Sequence, residues 1–292
     1  MHYRSGPDRR WELAQALPHP LLRPGVHGYR GVRLAPGGPR RRLEVPTGEV
    51  TLFLGFDRPI RITDAAGART ESFGSLLSGP RTRGSTGEHD GGLYGVEVVM
   101  APWAAYRIFS LPMSELTGRA VELEDVLGAR AARTLTGRLA GAPDWPRRFA
   151  ALDATLVRLH GAGPQPAPQV VAVREELIRT AGLVPVQDLV ALSGWSWRQL
   201  DRRFREQVGL GPKAVARVLR LRGYLRLTEL GRPPAEAAPA AGYYDQAHLC
   251  REFRAMTGLT PGRFLAERRT VKPGPPAPDR LSGEVTSVVL PP

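Results

Sequence analysis

Cysteine, lysine and long apolar runs are what this chain has least of, and each shortage excludes something. Cys250 is the only cysteine in 292 residues. No intrachain disulfide can form and no cysteine-built zinc site is available, which fits a reducing compartment. No stretch of about 18 apolar residues occurs, so no spanning helix is expected. The N-terminal MHYRSGPDRRWELAQ carries charge but no apolar core of a secretion signal. A cytoplasmic protein without a membrane partner is the expectation. Phosphate-binding and nucleophile motifs are also missing: there is no P-loop, no GxGxxG at a strand-to-helix junction and no GxSxG. His27, His89 and Asp90 are the obvious polar candidates of the N-terminal half, yet no His-x-His pair with a following Glu accompanies them. No catalytic residue, cofactor or metal is expected.

What is abundant is arginine. The formal net charge is +13, and lysine contributes only Lys213 and Lys272. Such a balance favours a polyanionic partner, although GC-rich coding produces the same profile. The length suits two domains, and the seam is GAGPQPAPQ at 161–169, too rich in proline and glycine to continue a helix. Before it, short apolar runs at 41–46, 49–56, 72–79 and 93–100 read as strands. Helical periods follow, in a short helix from Pro102 and longer ones over 123–140 and 145–161. After the seam nearly everything reads helical up to about residue 269. The expected class is α+β: an N-terminal β-barrel or sandwich-like module (1–160) with two following helices, the linker 161–169, an all-α seven-helix double helix-turn-helix domain (170–269), and a disordered Pro-rich tail (270–292).

An internal repeat decides the functional reading. LDRRFREQVGLGP (200–212) and LCREFRAMTGLTP (249–261) coincide at seven of thirteen positions with a constant offset of 49. Leu200 matches Leu249, Arg202 matches Arg251, Phe204 matches Phe253, and Pro212 matches Pro261. Upstream, Gly194-Trp195 answers Gly242-Tyr243 at an offset of 48, so the second copy has one extra residue in its turn. A short helix, a glycine turn and a longer helix, twice over, is a duplicated helix-turn-helix unit. Leu200, Phe204 and Val208, and likewise Leu249, Phe253 and Met256, form inward stripes. The opposite faces carry Arg198, Gln199, Arg202 and Arg203 in one unit and Gln246, His248 and Arg251 in the other, with Ser196 and Asp245 as N-caps. Arginine and glutamine can donate in pairs to guanine and adenine edges. The helix from Lys213 to Glu229 is about 25 Å long at 1.5 Å per residue, a strut able to set two readers roughly one duplex turn apart.

The string AGYYDQAHLCREFRAMTGLTPGRFL (241–265), within 170–269, resembles the AraC/XylS family of bacterial transcriptional regulators. The resemblance implies two helix-turn-helix units joined by a long helix on bent promoter DNA. Carried over by position, it implies base-facing roles for Arg198, Asp201 and Arg202, and for Gln246, Ala247 and Arg251. VEVVMAPWAAYRIF and the helices after it look like the sensor and dimerisation half of such regulators. Double-stranded DNA is the implied partner; RNA polymerase, a homodimer through the N-terminal module and a small-molecule effector are left open. One departure stands out: the second supporting helix reads AEAAPAAG, with Pro239 where the first unit has Ala191. Either the proline ends that helix early or it sits inside it at a cost of about 3 kcal/mol. Cys250, in the second reading helix, is read as a small residue beside the duplex and not as a redox switch. The aromatics Phe53, Phe56, Tyr94 and Trp103 either enclose a ligand or are core, and core is favoured for most. A module that only dimerises, an enzyme with an appended DNA reader, and a general polyanion binder are the competing readings.

Overall fold

The computed structural model describes residues 1–6, 10–23, 25–35, 37–64, 69–270 and 278–291. Two antiparallel sheets build the N-terminal module. The first holds β1 (His2–Ser5), β2 (Trp11–Ala16), β3 (Val26–Leu34), β5 (Val50–Gly55), β8 (Ser75–Ser78), β10 (Leu93–Met100) and β11 (Ala120–Glu122), in the order β1-β2-β3-β10-β5-β8-β11. The second holds β4 (Arg40–Glu44), β6 (Ile60–Asp64), β7 (Thr70–Phe73), β9 (Ser85–His89) and β12 (Ser287–Leu290), in the order β12-β4-β9-β6-β7. The sheets face each other as a sandwich and do not close into a barrel. The run 72–79, read as one strand, is two: Gly74 separates β7 from β8, and the chain changes sheets there.

Four helices cover the outer face of the first sheet: α1 (Pro102–Phe109), α2 (Leu123–Leu127), α3 (Ala129–Gly141) and α4 (Trp145–Ala162). The expected single helix over 123–140 is broken at Gly128, whose φ of 80° a helix cannot contain. Leu52, Leu54, Val96, Val98, Leu139 and Leu152 are buried together under these helices. Trp145 lies directly on β3, where a Cβ at Gly31 would come within 2.3 Å of its ring. Glycine is what lets the indole reach the backbone, and the indole N–H then donates to Glu12 at 3.0 Å.

Only 163–167 separate α4 from the next helix. Seven helices follow: α5 (Pro168–Arg179), α6 (Val186–Ser193), α7 (Trp197–Val208), α8 (Pro212–Glu229), α9 (Pro234–Ala240), α10 (Gln246–Thr257) and α11 (Pro261–Arg269). Helix α8 shows little amphipathic bias because it serves two cores. Val215 and Leu219 pack with α5–α7. Val218, Leu221, Tyr224 and Leu225 pack with α9–α11.

The tail corrects an expectation. Residues 271–277 and 292 lie outside the described residues, but 278–291 are ordered, and β12 pairs antiparallel with β4, Val288 opposite Leu43. Val285 and Val288 are buried with Leu43 and Val45 in the core of the second helical unit. Asp279 holds the turn of this segment, its Oδ1 accepting from the Thr286 N–H at 2.7 Å and its Oδ2 from Arg268 at 2.6 Å. Proline content argued for disorder. Two buried valines and a satisfied aspartate outweigh it.

Candidate nucleic-acid interface

The first unit is α6 and α7. Gly194 ends α6 in the left-handed region at φ 67°, which turns the chain tightly enough for Ser196 to cap α7. The Ser196 hydroxyl accepts from the Gln199 N–H at 3.3 Å. Leu200, Phe204 and Val208 are fully buried, so the helix is locked by one face. Ser196, Arg198, Gln199, Arg202 and Arg203 all stand exposed, and Asp201 is half-buried. Two of these are occupied: Asp201 pairs with Arg205 at 2.8 Å and Arg203 with Glu206 at 3.2 Å. Among the described residues, Arg198 and Arg202 have no side-chain partner, leaving two guanidiniums free to donate.

The second unit repeats this arrangement. Asp245 caps α10, its carboxylate accepting from the His248 N–H at 2.6 Å. Leu249, Phe253 and Met256 are buried, and Asp245, Gln246, Ala247 and Arg251 are exposed. Gly209 and Gly258 end the two reading helices at φ 83° and 76°, and Pro212 and Pro261 open the helices after them. Arg251, like its counterpart Arg202, has no partner among the described residues. His248 is different. It is half-buried, its ring meets Tyr243 edge-on at 5.4 Å and its Nδ1 lies 3.3 Å from the Tyr244 N–H, so it braces the turn.

The extra residue in the second turn is Tyr244, between the buried Tyr243 and the cap. Its side chain is 93% exposed. It stands beside the start of α10, in the same region as Gln246 and Ala247. The 48-versus-49 offset announced an insertion here but not that it would be a projecting phenol. Cys250 is half-buried on α10, beside Tyr224 rather than on the open face.

Pro239 lies inside α9, which continues to Ala240. The helix is not ended early. Ala235 loses its backbone donor, but both residues are exposed, so water can take the carbonyl and the full cost of about 3 kcal/mol is not incurred. Pro239→Ala is expected to raise the thermal melting point, by no more than that free energy. An unchanged or lower melting point would contradict this.

Both units are fastened to the N-terminal module. On the first, the Thr117 hydroxyl donates to the Gly209 carbonyl at 2.8 Å. On the second, the Gly84 N–H donates to the Met256 carbonyl at 2.6 Å. Between them Glu49, buried just before β5, accepts from Arg174 of α5 at 2.6 and 2.7 Å, with Arg222 of α8 at 3.6 Å and His27 at 3.2 Å. Burial pushes the Glu49 carboxyl up, but Arg174, His27 and Arg222 together outweigh it and hold the group down at about 2. None of this group was legible as an interface before the fold was known. The polar candidates His27, His89 and Asp90 are not brought to one site. His27 belongs to Glu49, Asp90 pairs with Arg58, and the His89 Nδ1 lies 3.2 Å from the Gly91 N–H. No group of three metal-ligating residues occurs among the described residues.

The family model described as a helix-turn-helix domain matches residues 189–267. The uncharacterized HTH-type transcriptional regulator YbfI of Bacillus subtilis (strain 168) is 36% identical over 87 residues, 30% of this chain and 32% of that protein. The HTH-type transcriptional regulator MtrA of Neisseria gonorrhoeae is 32% identical over 83 residues, 28% of each. The chain thus spans about a third of the length of the curated relatives it matches. Among solved structures, unsaturated fatty acid bound ToxT from Vibrio cholerae is 10% identical, covering 86% of this chain and 96% of that one, with a TM-score of 0.45. Duplicated capped helices, matched terminating glycines and the family match over the same residues agree: residues 189–267 of this chain are a helix-turn-helix domain.

Proposed function

We propose that the protein is a sequence-specific DNA-binding transcriptional regulator that seats α7 and α10 in successive major grooves of one duplex, with its N-terminal module as the controlling half. One observation carries the reading: Arg202 and Arg251 occupy equivalent positions on two independently locked helices, both exposed and both without a partner among the described residues. A helix buried by one face presents its opposite face in a fixed orientation, which base reading requires. The strut α8 has 18 residues, about 27 Å at 1.5 Å per residue, close to the span between adjacent grooves. In this reading Arg198, Gln199, Arg202, Gln246, Ala247 and Arg251 face bases. Ser196 and Asp245 hold the helix starts against the backbone, while Asp201, Arg203, His248 and Tyr244 fill the flanks. The working division is a control module at 1–160, a connector at 161–169 and the reader at 170–269, with the ordered end of the tail returning to the control module.

Selection from random duplexes with the full chain tests this directly. The expected outcome is a recovered site of two half-elements about 10 base pairs apart. Recovery of one half-element would remove the second unit from the reading. Enrichment without any sequence would leave only a polyanion binder.

A further inference from the structure

Length is not the only property that α8 brings to the space between the two readers. Lys213, Arg217 and Arg220 stand four and then three residues apart, which aligns them on one side of the helix. That side meets both readers. The Lys213 ammonium lies over the Trp197 ring at 5.5 Å, in the first turn of α7 next to Arg198. Arg217 Nε donates to Glu252 of α10 at 2.8 Å, and Arg220 and His248 approach the same carboxylate at 4.0 and 3.9 Å. One cationic stripe thus runs from the start of the first reading helix to the flank of the second.

The protein does not use up this charge. Among the described residues, Glu252 is the one carboxylate paired with the stripe, against three permanent cations. It holds Arg217 by Nε alone, so both terminal nitrogens of that guanidinium are left to donate, and the side chain is 43% exposed. Lys213 is exposed and has no carboxylate partner among the described residues. Arg220 Nε and the hydroxyl of the buried Tyr243 have no acceptor, and Glu252 Oε2 accepts no hydrogen bond. A cluster whose only task was to fasten α8 to α10 would satisfy these atoms. This one keeps donors in reserve.

We propose that Lys213, Arg217 and Arg220 form a seat for phosphates of the duplex backbone, on the stretch between the two half-elements. The inference rests on the reading of α7 and α10 as groove readers: helices in successive major grooves leave a stretch of backbone between them, and α8 is the element that spans it. From 213 to 220 is about 10 Å at 1.5 Å per residue, or about three steps of 3.4 Å along one strand. Two or three phosphates therefore lie within the span of the three side chains. Glu252 is then a positioning residue, since pinning Nε fixes the plane of the Arg217 guanidinium and aims its other donors outward. Phosphate contacts carry no sequence information. The stripe would set the register of the protein on the duplex while α7 and α10 read it.

Binding of the full chain to the selected duplex and to an unrelated duplex of equal length, each followed from 50 to 200 mM salt, tests the seat. Arg217→Met should weaken both complexes and lower the salt slope by about 0.9, so that the affinity lost over that range shrinks about 3.5-fold. Lys213→Met strands no carboxylate and should do the same, which keeps the test decisive if Arg217→Met fails to fold. The double variant should shrink the loss about 12-fold. Arg217→Lys keeps the charge and should keep the slope. Arg226→Met removes an equal charge from another side of α8, where Arg226 is exposed, and should lower the slope by less than half as much. Unchanged slopes for Arg217→Met and Lys213→Met would overturn the seat. An equal fall for Arg226→Met would also overturn it, by assigning the effect to net charge alone. A slope lost in Arg217→Lys would make that residue structural and strike it from the seat. Failure here is distinguishable from failure of the regulator reading: the selection with the native chain decides whether paired half-elements exist, and the unrelated duplex measures the stripe whatever that selection returns.

Discussion

Glu49→Ala is expected to destabilise the folded protein by about 3–5 kcal/mol, the usual consequence of removing one partner of a buried ion pair. Arg174 is 7% exposed in its side chain and Glu49 3%, so neither water nor a neighbouring carboxylate can replace what is lost. The alanine leaves Arg174 buried against a sandwich with no acceptor at that point. Replacing both partners with apolar residues, Glu49→Met with Arg174→Met, should cost far less, because the desolvation penalty of both ions disappears with their attraction. The native pair also carries a pH signature. An unfolded glutamate ionises near pH 4.3, and the folded Glu49 at about 2. A depressed folded value means that the stabilisation is complete above the unfolded one and drains away as pH falls from about 5 towards 2. Chemical denaturation of the native chain and Glu49→Ala across that window should therefore show two curves converging at low pH. Parallel curves would remove the pair from the account of what holds the domains together.

Why the reader was legible and this interface was not comes down to sequence distance. The helix-turn-helix units advertise themselves locally. Their apolar stripes recur every three or four residues, Ser196 and Asp245 precede them, and Gly209 and Gly258 close them. Duplication then supplied an internal control that no single basic helix offers. Glu49 and Arg174 are 125 positions apart, and nothing near either residue marks it as half of a buried pair. The strand at 287–290 has the same difficulty. Its partner β4 lies 245 positions away at the Val288–Leu43 pair, and a run of four residues has no period to read. Where apolar periods did mislead, glycine was the cause: Gly74 and Gly128 cut runs whose apolar patterns continue through them. Tyr244 shows the remaining limit, since an offset reveals that a residue was inserted but not which way it points.

Arg202→Ala and Arg251→Ala should each weaken binding to the selected site by about 1–3 kcal/mol if the side chain reads a base. That corresponds to roughly 5- to 150-fold, at 1.4 kcal/mol per tenfold. The loss should be confined to one half-element in each case: sequences altered at that half-element should bind native and variant proteins alike. The two arginines share no contact partner, and their helices are locked by separate cores joined through α8. The double variant should therefore lose the sum of the two single losses, as independent sites do, which gives about 2–6 kcal/mol. Salt separates this from a phosphate role. If the complex neutralises 6–10 phosphates, native affinity should fall about 10³- to 10⁵-fold between 50 and 200 mM salt. A base-reading arginine leaves that slope unchanged when removed, whereas a phosphate-contacting one lowers it by about 1 and weakens every sequence equally. Uniform weakening with a reduced slope for both variants would turn α7 and α10 into electrostatic anchors and place sequence recognition elsewhere on the two units, Arg198 and Gln246 first. A double variant no worse than either single would mean that only one unit is engaged at a time, and the strut's length would then have no role in choosing the site.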